Sequence, residues 1–371
     1  MRTKLLALAA VGLLATAAMT ACDGSGDTDD AGDGGTGTGG SGKAKVGVIM
    51  PDTKSSTRWS TDDPKYLKQT FDKNGVPVEI QNAQGDKENF KRIAKDMIAG
   101  GAKVLIMANL DSISGKAVID DAHAKNVKVI DYDRLTLNGN ADYYVSFDGG
   151  KVGEQQAYGL RNCLSAKKVT DPVIAELNGS PTDNNATLFK EGYDGVLQPF
   201  FDDSTYTKGP DQWVPDWDND EGAKIFSQML SQQPKISGVL AANDGLGNAV
   251  IEVLRKKGLN GKVPVTGQDA TVQGLQNILA GDQCMTVYKP FQPLAETAAN
   301  LATELFQGKK VTANTQPLKD PESGGYVPFV SLPPSSIDIT KVKSLVDDGY
   351  VTKKQLCTGK FAALCKQHGI K

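Results

Sequence analysis

The chain has 371 residues, room for two domains of ordinary size. Hydrophobic residues make up 39% and charged residues 23%, the balance of a soluble globular protein, and a net charge of −3 lacks the basic excess that a nucleic-acid partner requires. With only two histidines, His123 and His368, a histidine-built metal or catalytic centre is poorly supplied, so no metal and no cofactor are expected.

The first residues read as a targeting segment. Arg2 and Lys4 precede an apolar run over 5–18, too short for a comfortable membrane span. "MTAC" at 19–22 resembles a bacterial lipobox, with Met19 where Leu is more usual. This predicts a signal peptide over 1–22, cleaved so that a lipidated Cys22 anchors the protein to the outer face of the cytoplasmic membrane. Residues 23–42 are almost all Gly, Asp, Thr and Ser, with no apolar surface to bury, and predict a flexible linker. Gly37, Gly39 and Gly42 fit G-x-G-x-x-G, and 37–43 fits most of a phosphate-binding loop. Both precede the first strand rather than following it, and Ala44 stands where Ser or Thr is needed, so neither is read as a nucleotide site.

Beyond the linker, short β-rich runs alternate with amphipathic helical ones. "KVGVIM" from Lys45 predicts a buried strand, 87–101 a helix, "AKVLIMAN" a strand, 112–126 a helix, "VKVIDYD" and "YYVSFD" strands. A second set follows: a helix over 150–164, the strand "PVIAELNG", a helix after "GSPTDNNA", a helix over 220–234, the strand "ISGVLAAND", a helix over 245–258, and strands "KVPVTGQDA" and "CMTVYKP" before a helix over 294–308. The fold class is therefore α/β, with two doubly wound lobes of mostly parallel strands.

Polar clusters recur where these strands end: "DTKSSTRW", "DYDR", "GSPTDNNA", "AAND", "GQDA" and "VYKP". Ligands of open parallel sheets bind outside the carboxyl ends of the strands. Each cluster alone has an ordinary explanation; Asp183 and Asp244 could simply cap the helices that follow. Their recurrence points to one cleft. Asp133, Asp183 and Asp269 balance Arg58, Arg134 and Lys289, so the ligand needs no net charge. Asn185 and Asn243 both donate and accept, and Trp59 and Trp217 offer flat apolar faces, although either could be core. That is sugar chemistry: planar polar groups serve neighbouring hydroxyls, and C–H ring faces stack on aromatics. Cations near every Asp argue against the raised-pKa acid a glycosidase needs. "DWDND" at 216–220 starts like a calcium loop, but Glu221 and Ser227 stand at its glycine and terminal glutamate positions; Asp220 reads better as a helix cap.

With Cys22 lipidated, four cysteines remain, an even number in an exported protein. Cys357 and Cys365 close a short loop and form the first expected pair, with Cys163 and Cys284 paired by elimination; buried free thiols are the alternative.

Taken together, "RW" at 58–59, "YDR" at 132–134, "YYVSFD", "GSPTDNNA", "DQWVPDW", "AND", "GQDA" and "MTVYKP" make the region from about 45 to 308 resemble the family of bacterial D-xylose-binding proteins, substrate-binding components of ABC sugar importers. The resemblance implies a type I periplasmic-binding fold. Its lobes would take 43–148 with 290–332 and 149–289 with 333–371, joined by a three-strand hinge near Asp148, Lys289 and Leu332. It implies that Arg58, Asp133, Arg134, Asp183, Asn185, Asn243, Asp269 and Lys289 hydrogen-bond the sugar, that Trp59 and Trp217 flank its ring, and that the closed monomer meets a membrane permease. Glucose, ribose or arabinose are the alternative ligands, and a sensory receptor the alternative partner. The linker, the four cysteines and the tail from about Val311 depart from the family pattern.

Overall fold

The computed structural model describes residues 43–370. Cys22, the signal and linker readings over 1–42, and the glycine patterns at 37–42 lie outside the described residues.

The chain runs β1 (Lys45–Met50), α1 (Asp62–Asn74), β2 (Val78–Asn82), α2 (Lys87–Ala99), β3 (Ala102–Met107), α3 (Ser112–His123), β4 (Lys128–Tyr132) and β5 (Tyr143–Phe147). It continues with α4 (Gly149–Ala166), β6 (Val173–Asn178), α5 (Asn184–Asp202), β7 (Thr207–Trp213), α6 (Asn219–Gln232), β8 (Ile236–Ala241), α7 (Asp244–Lys256), α8 (Val272–Ala280), β9 (Thr286–Tyr288) and α9 (Phe291–Phe306). The last elements are β10 (Gln316–Lys319), β11 (Tyr326–Leu332), β12 (Ser335–Ile337), α10 (Val342–Asp347), α11 (Lys353–Leu356) and α12 (Phe361–Gln367).

β1 shows how the first lobe is built. Its side chains alternate between faces, as a strand's must. Val46, Val48 and Met50 join a core with Leu67 and Phe71 of α1 and Leu294 and Ala298 of α9. Ile49 joins a second core on the opposite face, with Phe90 and Met97 of α2. Burial on both faces is what makes the strand read as a continuous apolar run. The sheet has the order β10-β11-β5-β4-β3-β1-β2, parallel except for the β10–β11 hairpin pairing.

The second lobe centres on the parallel sheet β7-β6-β8, with one core drawn from α4 to α7. The stretch 262–270, expected as a strand, makes only single bridges, Val265 to Val239 and Gln268 to Val287. Positive φ at Asp269 (99°) and Ala270 (51°) is incompatible with an extended run, so the chain turns there instead. β9 pairs with β12 antiparallel. The tail after β12 packs on α8 through Leu345, Val351, Leu356 and Cys365. Among the described residues there are two disulfides, Cys163–Cys284 and Cys357–Cys365, with Cα separations of 6.2 and 5.8 Å. Among the described residues no helix is long and apolar enough to cross a membrane.

Among the described residues three segments connect the lobe of the seven-stranded sheet with the lobe that holds β7-β6-β8 and the β9–β12 pair. β5 ends at Phe147 and leads into α4; β9 leads through Lys289 into α9; β11 leads through Leu332 into β12.

Candidate functional site

The ends of β1, β4, β6, β8 and β9 deliver side chains to one small cavity of ≈ 30 Å³. All ten predicted ligand residues line it: Arg58, Trp59, Asp133, Arg134, Asp183, Asn185, Trp217, Asn243, Asp269 and Lys289. Ser55, Ser56 and Gln268, which belong to the clusters "DTKSSTRW" and "GQDA" but not to the predicted ligand set, also line it, as does Phe189. Phe189 lies among apolar residues of α5 and reads as core; the two serines sit in a polar loop beside the stronger Arg–Trp signal.

Arg58 comes from a short 3-10 turn over Thr57–Ser60 and is 1% exposed. Its Nε and Nη2 grip Asp63 at 2.7 and 2.6 Å, and Nη1 donates to Asp133 Oδ2 at 2.8 Å. Asp63, absent from the predicted set, also accepts from the Tyr132 hydroxyl. It stands in the first turn of α1 and fixes the guanidinium that faces the cavity. Burial alone would pull the Arg58 guanidinium down; Asp63 and Asp133 outweigh it and hold it well above its usual value. The Arg58 guanidinium also lies 4.2 Å from the Trp59 ring centre, and that of Arg134 5.6 Å.

Asp133 follows β4 with φ of 66°. Its carboxylate meets Arg58, Lys289 at 3.2 Å and the Asn185 amide at 3.2 Å. Burial would raise this carboxyl, but Lys289, Arg58 and Arg134 together hold it well below the usual carboxylate range. Lys289, 4% exposed, also lies 3.6 Å from Asp269.

Asp183 has two duties. Oδ1 caps α5 through Asn185 N at 3.0 Å, as its position before the helix suggested. Oδ2 accepts from Trp217 Nε1 and lies against Arg134 Nε, each at 3.0 Å. Trp217 stands edge-on to Phe189, with ring centres 6.5 Å apart. Both tryptophans are buried, at 3% and 5% exposure, and both line the cavity; Trp59 also packs in the core of the first sheet and Trp217 in that of the second.

Two expected caps are corrected. Asn243, not Asp244, caps α7, accepting from Leu246 N at 2.8 Å, and its amide reaches Ser55 O at 3.3 Å. Asp244 is the first helical residue and wholly buried, bonded to Thr271, Gln283 and Thr286. Asp218, not Asp220, caps α6, because only a residue with extended φ/ψ before the helix can turn its carboxylate onto the free N–H groups. Among the described residues no cluster of three or more His, Cys, Asp or Glu side chains is placed to hold a metal ion.

Two α/β lobes meeting at the carboxyl ends of their strands, around a polar pocket flanked by aromatic rings, make a two-lobed solute-binding protein of the type I periplasmic-binding fold. A sequence profile of the periplasmic binding protein domain matches residues 46–310. The D-xylose-binding periplasmic protein of Escherichia coli K12 is 34% identical over 85% of this chain and 93% of its own length. The multiple sugar-binding periplasmic protein of Azospirillum brasilense is 35% identical over 84% of this chain and 91% of its own. A solute-binding protein of Clostridium phytofermentans solved with β-D-glucose superposes with a TM-score of 0.77 at 28% identity, over 85% of this chain and all of that one. The chain belongs to the periplasmic binding protein family.

Proposed function

We propose that this protein captures a monosaccharide, D-xylose first among candidates, between its two lobes outside the cytoplasm and delivers it to an ABC permease. One observation carries the reading. Three carboxylates, three cations, two amides and two tryptophans from separate strand ends converge on one buried pocket. These groups now bond one another, and a sugar enters by exchanging those bonds for its own hydroxyls, which both donate and accept. The similarity to D-xylose-binding proteins supports the choice of sugar. In this reading 43–148 with 290–332 forms one lobe, 149–289 with 333–371 the other, and the crossings near Asp148, Lys289 and Leu332 form the hinge. The site performs binding alone, without catalysis or cofactor. Lipidation at Cys22 would tether the monomer to the membrane face, with 23–42 as its leash.

A broader monosaccharide specificity is the second reading, favoured by similarity to multiple sugar-binding proteins and to glucose complexes. Titration calorimetry of the full chain with D-xylose, D-glucose, D-ribose and L-arabinose tests both. Preference for xylose upholds the first reading, comparable affinities uphold the second, and no heat with any sugar overturns the two together.

A further inference from the structure

One side chain of the tail after β12 reaches the back of the pocket. Tyr350, at the turn between α10 and α11, donates its hydroxyl to the backbone carbonyl of Asp269 at 2.9 Å. Its ring meets Tyr288 edge-on at 4.6 Å and lies 5.8 Å from Phe291. Those two residues flank Lys289 and Pro290, so Tyr350 touches both sides of the crossing that carries the buried lysine. Phe291 in turn lies under the Arg58 guanidinium, 4.1 Å from its ring centre. One tail residue therefore backs three groups that face the cavity: Asp269, Lys289 and Arg58.

Asp269 needs such support. Its φ of 99° lies where a residue with a Cβ is strained, and Ala270 after it has φ of 51°. Such conformations persist where surrounding bonds over-determine them. Asp269 N donates to Val287 O at 2.9 Å, and Ala270 N to Thr286 Oγ1 at 3.1 Å. The Tyr350 hydroxyl supplies the bond to the carbonyl between them. The tail is itself held to the second lobe: Gln276 of α8 donates to Leu356 O at 2.9 Å, and Cys357–Cys365 joins α12 to the end of α11.

We propose that Tyr350 is a positioning residue of the sugar site, by which the disulfide-closed tail sets the aim of Asp269. The proposal rests on the sugar-binding reading for its effect on affinity, though not for the coupling itself. Tyr350→Phe removes one hydrogen bond and keeps the ring. In the full chain, calorimetry with D-xylose should show about five- to tenfold weaker binding. In an Asp269→Asn background the same change should weaken binding less than about twofold, because the carboxylate it aims is gone. A merely structural role would give equal losses in both backgrounds and overturn the proposal, as would unchanged affinity in the single variant. Amide hydrogen exchange without sugar supplies a second readout. Exchange at 269–271 should quicken in Tyr350→Phe while the β6–β8 core is unaltered, and unchanged exchange at 269–271 overturns the proposal. If the wild-type protein ignores D-xylose and exchange still quickens, the choice of sugar falls and the positioning role stands.

Discussion

Arg134 and Asp183 join the two lobes across the pocket, with the guanidinium Nε 3.0 Å from carboxylate Oδ2. Arg134 follows β4 of the first sheet and Asp183 follows β6 of the second, and both are buried. The same oxygen accepts from Trp217 Nε1, so closing the lobes and seating the tryptophan use one atom. Removing the carboxylate leaves a buried cation short of a partner, a loss of about 3 kcal/mol. Asp183→Ala should therefore weaken monosaccharide binding roughly 100-fold by calorimetry. X-ray scattering with saturating sugar should show a larger radius of gyration than wild type. Wild-type affinity in this variant would remove the pair from the closing mechanism.

Gly179 tests the seat of Trp217 sterically. A Cβ on Gly179 would fall 2.1 Å from the indole ring, closer than any side chain tolerates, so Gly179→Ala must move the ring. Overpacking of this kind costs about 1–3 kcal/mol. The expected result is at least about tenfold weaker sugar binding, with altered tryptophan fluorescence before any sugar is added. An unaltered spectrum with full affinity would mean that Trp217 does not help shape the pocket.

These residues also show what was legible in the sequence. The strand-end clusters held nine of the ten expected side chains, all but Trp217, because an open parallel sheet presents its loops at one edge, and the loop composition is then the composition of the cavity lining. Asp63 and Phe189 were hidden by their local setting, one at a helix start and one amid apolar helix residues. Helix α1 and strand β2 were not foreseen: "VEIQN" has too few apolar residues to mark a strand, and it is only half-buried along its length. The run 262–270 looked like a strand because its composition does. What local composition cannot express is the positive φ of Asp269, which the surrounding tertiary bonds impose.

The Cys163–Cys284 bridge ties α4 to the segment before β9 across 121 residues. On a chain-entropy basis a loop of that size is worth about 4–5 kcal/mol, because it limits the unfolded chain. Neither cysteine lines the candidate pocket. Replacing both with Ser should lower the melting temperature by several degrees and leave sugar affinity within about twofold. A large loss of affinity instead would mean that the bridge shapes the site.

Two buried carboxyls pull stability in opposite directions with pH. Asp133 is held low by Lys289, Arg58 and Arg134, so its contribution is complete above the unfolded value of about 3.9 and is lost only as pH falls through its lower folded value. Its share of stability and sugar affinity should be flat from pH 8 to pH 5. Asp131 is the reverse case. Burial pushes its carboxyl up to about 7, against hydrogen bonds from Thr136 N and Oγ1, with Asp320 adding to the rise. Between about pH 4 and 7 the folded state then holds a proton there that the unfolded state has released. Stability from this group falls as pH rises through that window, by up to about 1.4 kcal/mol per unit, and levels off above 7. Asn at 131 can still accept from Thr136 N but cannot titrate. Denaturant midpoints between pH 5 and 7.5 should therefore decline less steeply in Asp131→Asn than in wild type. Parallel slopes would show that Asp131 is ionised throughout, its two hydrogen bonds outweighing burial.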